Sequence, residues 1–374
     1  MISILIAGDF VPQDRALKLF IEGKYAEVLG EIKPIIEQSD FSIVNLEAPV
    51  IYDEPTPITK TGPNLSCSEN AVEALKWAGF DCVTLANNHF YDQGEQGVEG
   101  TLKACEKYGV SYVGAGRNLQ EAETVLYKEI EGKTLAIVNC CEHEWSIASD
   151  EHGGSNPLNP IKQYYAIQEA KTKADYVLVI VHGGIEMYQY PTPRMQETYR
   201  FFIDAGADAV VNHHQHCYSG YEIYHNKPIF YGLGNFCFDK NDGKDGNWNY
   251  GYMVELNFAE CISFKIYPYE QCSEQPKVSL LEPNAFRTEI ETINQVLLEK
   301  DGLLKNWENF VAHGNPSYLG VLEPLHGRLF GALRARHLLP SFVSNKRLYQ
   351  IKGNIQCESH RERLMNAINE KLEK

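Results

Sequence analysis

The sequence predicts an α/β protein, and three observations carry that expectation. Five short apolar runs end abruptly in polar residues: Ile4-Leu5-Ile6-Ala7 in Gly8-Asp9, Ser42-Ile43-Val44 in Asn45-Leu46-Glu47, Cys82-Val83-Thr84-Leu85 in Asn87-Asn88-His89, Val177-Leu178-Val179-Ile180-Val181 in His182, and Ala209-Val210-Val211 in Asn212-His213-His214-Gln215-His216. Segments with apolar residues three and four apart, the helical period, separate several of these runs. From about residue 221 strand-like runs follow one another directly. In α/β proteins the carboxyl ends of strands face the crevice where ligands bind, so polar strand ends place a site there.

Taken in order, the N-terminal run is the first core strand. Residues 14–38 carry Leu17, Phe20, Ile21, Val28, Leu29, Ile32, Ile35 and Ile36 at helical spacing, broken by Gly23, Gly30 and Pro34. A strand at 41–46 precedes a long loop to about 67 that is rich in Pro and Thr, and long loops in compact domains are often functional. A helix over 68–79, capped by Ser68 and closed by Gly79, leads to a strand at 82–86, and a second helix runs from 94 to 108 before Gly109. Short runs at 110–114 and 134–140 read as strands. Residues 141–160, with Glu142, His143, Glu144, Trp145 and His152, read as an exposed loop. Helices at 161–174 and 194–206 alternate with strands at 176–181 and 209–212. Strands at 221–225, 228–232, 251–258 and 262–269 then complete the β-rich half, the first two joined by a hairpin turn at His225-Asn226-Lys227. Beyond residue 285 the character changes: 13 Lys/Arg stand against 10 Asp/Glu, with helices at 288–312 and 359–373. The expected organisation is a domain over 1–284 and a helical C-terminal extension over 285–374.

The formal charge of −16 argues against a nucleic-acid surface, yet allows an anionic substrate if bound cations invert the local field. No apolar stretch approaches the roughly 18–20 residues of a membrane span, and the N-terminus lacks the basic region of a signal peptide. The ten cysteines are scattered without a disulfide framework, so reduced core thiols and a cytoplasmic location are expected. Nothing in the sequence sets the oligomeric state.

Dinuclear metal centres need carboxylate oxygens and imidazole nitrogens converging from several elements, one carboxylate bridging ions about 3.5–4 Å apart. Asp9, Glu47, Asn88, His182, His214 and His216 offer that set. His214 and His216, two apart on an extended segment, would project to one side. His89 is placed to protonate a leaving group.

The ordered motifs Gly8-Asp9, Asn45-Leu46-Glu47, Asn87-Asn88-His89 with Asp92, His182-Gly183-Gly184 with Glu186, His213-His214-Gln215-His216 and Tyr231-Gly232-Leu233-Gly234-Asn235-Phe236 resemble the CapA (poly-γ-glutamate capsule synthesis) family, a branch of the calcineurin-like metallophosphoesterase superfamily. The resemblance covers roughly residues 1–260. It implies two stacked β-sheets flanked by helices, an α/β/β/α sandwich, with two divalent transition metals (Mn, Fe or Zn) at one edge. It implies Asp9 and His216 on the first metal, Glu47 as bridge, Asn88, His182 and His214 on the second, His89 as acid and Asp92 orienting it. Asn45, Lys60, Glu186 and His213 are assigned to the surroundings of the substrate. Two positions depart from the superfamily pattern: Val11 stands where a histidine is usual, and Asn212 where a glycine usually precedes the last histidine cluster. The implied activity is metal-assisted hydrolysis of a phosphate ester or a γ-glutamyl amide, on a small or oligomeric anionic substrate of capsule or cell-surface polymer synthesis. The alternative is a non-catalytic accessory protein that keeps the fold. Isolated histidines (His143, His152, His225, His313, His326, His337, His360) are read as structural.

Overall fold

The computed structural model describes residues 1–240, 246–320, 322–325, 327–336, 338–356, 360, 361, 363–365, 368 and 372. In chain order its strands are β1 (Ile2–Val11), β2 (Phe41–Leu46), β3 (Cys82–Thr84), β4 (Ser111–Val113), β5 (Ala115–Gly116), β6 (Leu126–Ile130), β7 (Lys133–Cys141), β8 (Gly154–Ser155), β9 (Tyr176–His182), β10 (Ala209–His213), β11 (Tyr221–Tyr224), β12 (Lys227–Phe230), β13 (Asn235–Phe238), β14 (Tyr250–Phe258), β15 (Ser263–Gln271) and β16 (Val278–Leu280). One sheet has the order β16-β15-β14-β1-β2-β3-β4, with β13 also paired to β1, and the second runs β11-β12-β10-β9-β7-β6.

Side-chain alternation stacks these sheets. On β1, Ile2, Ile4 and Ile6 join Leu178, Ile180 and Val211 of the second sheet in a central core, while Leu5 and Ala7 pack with Phe20, Leu75, Val98 and Leu102 of helices on the other side. On β9, Leu178 and Ile180 face inward, whereas Val177, Val179 and Val181 meet Ile167, Tyr199 and Phe202 of the outer helices Pro160–Lys173 and Pro193–Asp204. A strand buried on both faces reads as a continuous apolar run because each period of two fills a different core. The result is an α/β/β/α sandwich, as the family resemblance implies.

The details differ at several points. The helix Asn70–Ala78 starts after Glu69, and the Ser68 hydroxyl bonds Asn70 Oδ1 at 3.3 Å instead of capping it. Residues 14–38 form three short helices, Asp14–Ile21, Tyr25–Leu29 and Lys33–Ile36. Segment 141–160 is not wholly exposed: Ser146 and Ser155 are fully buried, and Ser155 Oγ meets the main chain of Leu85 and Asn87. The compact unit ends at Leu303 and not at 284. Its last helix, Arg287–Leu298, inserts Ile290 into the core between the sheets and Ile293 and Leu297 into the outer core. A helical period shows which face is apolar but not what it covers.

Leu304–Lys374 form a second unit. Its helices include Arg328–Ala335 and Asn345–Gln356, and Glu323 there accepts the main-chain N–H of Phe342 at 2.9 Å. The helix expected at 359–373 falls largely outside the described residues, as do His326 and His337.

Strand β1 changes partner along its length. Ile2–Ile6 pair antiparallel with β14, Asp9–Val11 pair parallel with β13, and the register breaks around Gly8. A Cβ on Gly8 would lie 1.9 Å from the carbonyl oxygen of Gly234, which also accepts the Asp9 N–H at 3.2 Å. Gly8→Ala must therefore push backbone from backbone. We expect a loss of about 1–3 kcal/mol in unfolding free energy, the usual range for overpacking, measured by denaturant titration.

Candidate functional site

The carboxyl ends of β1, β2, β3, β9 and β10 converge. Asp9 follows the partner change in β1, Glu47 leaves β2, Asn88 and His89 follow β3, and His182 closes β9. Strand β10 ends at His213, so His214 and His216 do not lie on an extended segment. Both have positive φ, 91° and 53°, and enter the site from a turn. Such conformations cost roughly 1–3 kcal/mol for non-glycine residues. The His214 N–H donates to Asp9 Oδ2 at 3.1 Å, holding the turn against β1.

The six predicted ligands come together. Donor atoms of Asp9, Glu47 and His182, and of Glu47, His214 and His216, lie within 4.8 Å of one another, with Glu47 common to both groups. Around His182 Nε2 stand Asn88 Oδ1 at 3.0 Å, His214 Nδ1 at 3.1 Å and Glu47 Oε1 at 3.4 Å. His216 turns Nδ1 to Asn235 Oδ1 at 2.8 Å, and its Nε2 is 3.8 Å from Glu47 Oε1. Both Glu47 oxygens are buried without a hydrogen-bond partner. The Asn88 oxygen and, once ionised, the Glu47 oxygen can only accept, and both face one ring nitrogen that can donate only once. Lone pairs converging this way call for a cation, and donors about 2.0–2.2 Å from a shared ion stand roughly 3.0–3.5 Å apart. The residues fit a divalent metal.

Burial governs the protonation. It pushes the Asp9 carboxyl up to about 7 despite its bonds to Asn45 and His214. Glu47 is raised well above the carboxylate range by burial first and the Asp9 charge second. His182 and His216 are held well below the imidazole range by burial and by neighbouring imidazoles, and His213 falls to about 3 through burial alone. Neutral imidazoles are ready metal ligands, and a bound cation would favour the ionised carboxylates.

His89 Nδ1 lies 2.6 Å from Asp92 Oδ2, so Asp92 sits where it can orient the ring. Three of the residues assigned to the substrate are placed otherwise. Lys60, with a side chain 2% exposed, is ion-paired to Asp92 and its Nζ is 3.2 Å from His89 Nδ1. Asn45 is buried, donating to Asp9 Oδ1 at 2.8 Å and lying 3.3 Å from His182 Nδ1. His213 is buried with its Nδ1 3.4 Å from Asp9 Oδ1. Glu186 is exposed and its charge acts on both Glu47 and His214. Val11 is fully buried in the apolar core, and Asn212 donates from Nδ2 to the carbonyls of Gly183, His213 and Tyr231 at 2.9, 2.8 and 3.0 Å.

Three contributors quoted from the sequence carried no assigned role there. Asn235 fixes the His216 ring. Asn87 donates to Leu46 O at 2.9 Å and accepts the His89 N–H at 3.1 Å, shaping the loop between two functional residues. Glu144 accepts from Asn88 Nδ2 at 3.0 Å. Its available signal was its place three residues beyond β7, beside strands that end in ligands.

Comparison with known proteins places the chain among capsule-synthesis proteins. The chain is 35% identical over 221 residues to the capsule biosynthesis protein CapA of Bacillus anthracis, covering 57% of this chain and 54% of that one. It is 33% identical over 244 residues to the PGA biosynthesis protein CapA of Bacillus subtilis, 64% of each. A probable polyglutamine synthesis accessory protein of Mycobacterium tuberculosis is 29% identical over 242 residues, 61% of this chain and 63% of that one. The chain thus spans a little over half to just under two thirds of these relatives' lengths. The model of the bacterial capsule synthesis protein family PGA_cap matches residues 3–240, and the chain belongs to that family.

Proposed function

We propose that this protein is a metal-dependent hydrolase of the capsule-synthesis type, acting on a phosphate ester or γ-glutamyl amide linked to capsule or cell-surface polymer synthesis. The observation that carries the reading is Glu47: a fully buried carboxylate with no hydrogen-bond partner, set among Asp9, His182, His214 and His216. Burying an unpaired charge is costly enough that such groups pair or coordinate metals. Asp9, Glu47, Asn88, His182, His214 and His216 would hold the metal, or two. Divalent transition metals there supply Lewis-acid polarisation of a phosphoryl or carbonyl oxygen.

The chain's own residues do the rest. Asn45 holds Asp9 and His182 in place from behind. Asp92, itself fixed by Lys60 and by the Leu65 N–H at 2.6 Å, holds Nδ1 of His89. That leaves Nε2 to give a proton to the departing oxygen or nitrogen. Glu186, exposed and with its charge acting on Glu47 and His214, is assigned to the substrate-facing side of the site. No helix among the described residues is long and apolar enough to cross a membrane, and the buried free thiols support the cytoplasmic placement that forms part of this proposal.

Activity on a panel of phosphate esters and γ-glutamyl amides tests the reaction class. Metal uptake without turnover on either would favour the accessory role, the role named for the Mycobacterium tuberculosis relative. Chelator-stripped protein should gain roughly 4 kcal/mol of stability when free metal reaches about 1,000 times its Kd. Glu47→Gln should lose that gain in thermal melts while melting no lower than the wild type when both are stripped, because a neutral amide replaces a buried unpaired carboxyl. His89→Ala should lower turnover about 10²–10⁴-fold, the usual range for a general acid, with metal content by elemental analysis unchanged. A parallel loss of metal would remove His89 from the acid role.

A further inference from the structure

We propose that Glu144 is the outer carboxylate of the metal site, a positioning residue that holds Asn88 so that its metal-facing oxygen points at His182, and that stands beside the far ring nitrogen of His214. The inference rests on the metal-site reading above. An amide side chain presents oxygen on one side and nitrogen on the other. Asn88 donates from Nδ2 to Glu144 Oε2 at 3.0 Å, and its Oδ1 consequently faces His182 Nε2 at 3.0 Å. The other oxygen, Glu144 Oε1, lies 3.7 Å from His214 Nε2, while His214 Nδ1 lies 3.1 Å from His182 Nε2. One carboxylate thereby stands behind two ligands, on the side of each away from His182.

The neighbouring backbone supports this position. The Glu142 N–H donates to His182 O at 3.0 Å, and Glu142 Oε2 accepts the Gly184 N–H at 3.1 Å. Buried Ser146 donates to Asn88 O at 2.7 Å and accepts the Tyr91 N–H at 3.0 Å. Residues 142, 144 and 146 thus clasp the segments carrying Asn88 and His182, and the other Glu144 oxygen lies 3.7 Å from His214 Nε2. Imidazole ligands commonly give their second ring N–H to a carboxylate, which fixes the ring and raises its basicity, and losing that partner typically weakens metal binding 10–100-fold. Glu144 itself is 39% exposed, so its removal leaves no buried void.

The test is calorimetric titration of chelator-stripped full-length protein with Mn²⁺ and with Zn²⁺, comparing wild type, Glu144→Ala and Glu144→Gln. Glu144→Ala should weaken one binding step 10–100-fold and leave any other step within about threefold. Glu144→Gln, which keeps an acceptor for Asn88, should recover part of the loss. If Glu144→Ala does not fold, Glu144→Gln decides alone, and wild-type affinity in that variant overturns the proposal. Wild-type affinity in both variants overturns it while leaving the metal site standing. A wild-type protein that takes up neither metal overturns both.

Discussion

Glu47 sets the terms for the rest of this structure. Its carboxylate is sealed from solvent at the end of β2, with the Asp9 charge close by and no donor bonded to either oxygen. Apolar packing alone does not account for such a group, since the strands on either side already fill their cores with branched side chains. The surrounding residues make sense as answers to it: neutral imidazoles on two sides, an amide oxygen beyond, and Asn45 holding the neighbouring Asp9 by a hydrogen bond to Oδ1. Protein chemistry leaves an acid in that place either protonated or shared with a cation.

The sandwich makes the convergence possible. Strands β1, β2 and β3 run parallel in one sheet and β9 and β10 run parallel in the other, so their carboxyl ends emerge at a common edge. The break in β1 opens that edge further: the strand releases β14 and takes up β13 at the residue that becomes a ligand. Register shifts of this kind are common beside active sites because they re-aim a side chain without unravelling the sheet.

Much of this was legible in the sequence, and the reasons differ by residue. The strand ends could be read because a doubly buried strand leaves an unbroken apolar run, and the switch to Asp9, Glu47, Asn88, His182 or His214 is abrupt. Strand β6 was missed because its half-buried Leu-Tyr-Lys-Glu-Ile pattern carries charges suited to an edge. Lys60 and Asn45 were visible as polar groups near the site, but residue type does not reveal a partner, and each is committed to another side chain. The extended geometry assumed for His214 and His216 failed because two left-handed residues bring them in from a turn. Glu144 lay in a segment whose Gly, Ser and Asn content reads as surface, although Ser146 and Ser155 anchor it inside.

The partner exchange in β1 also bears on where the folding unit ends. The family match closes at residue 240, yet β14 lies beyond it and is the antiparallel neighbour of Ile2–Ile6. A chain cut at that point would keep every ligand and still leave the first half of its central strand as a bare, apolar edge. Such edges template pairing between molecules, so a truncated form would be prone to self-association. Residues 250–280 thus act as a guard on the middle of the sheet, and the helix Arg287–Leu298 closes the cores behind them.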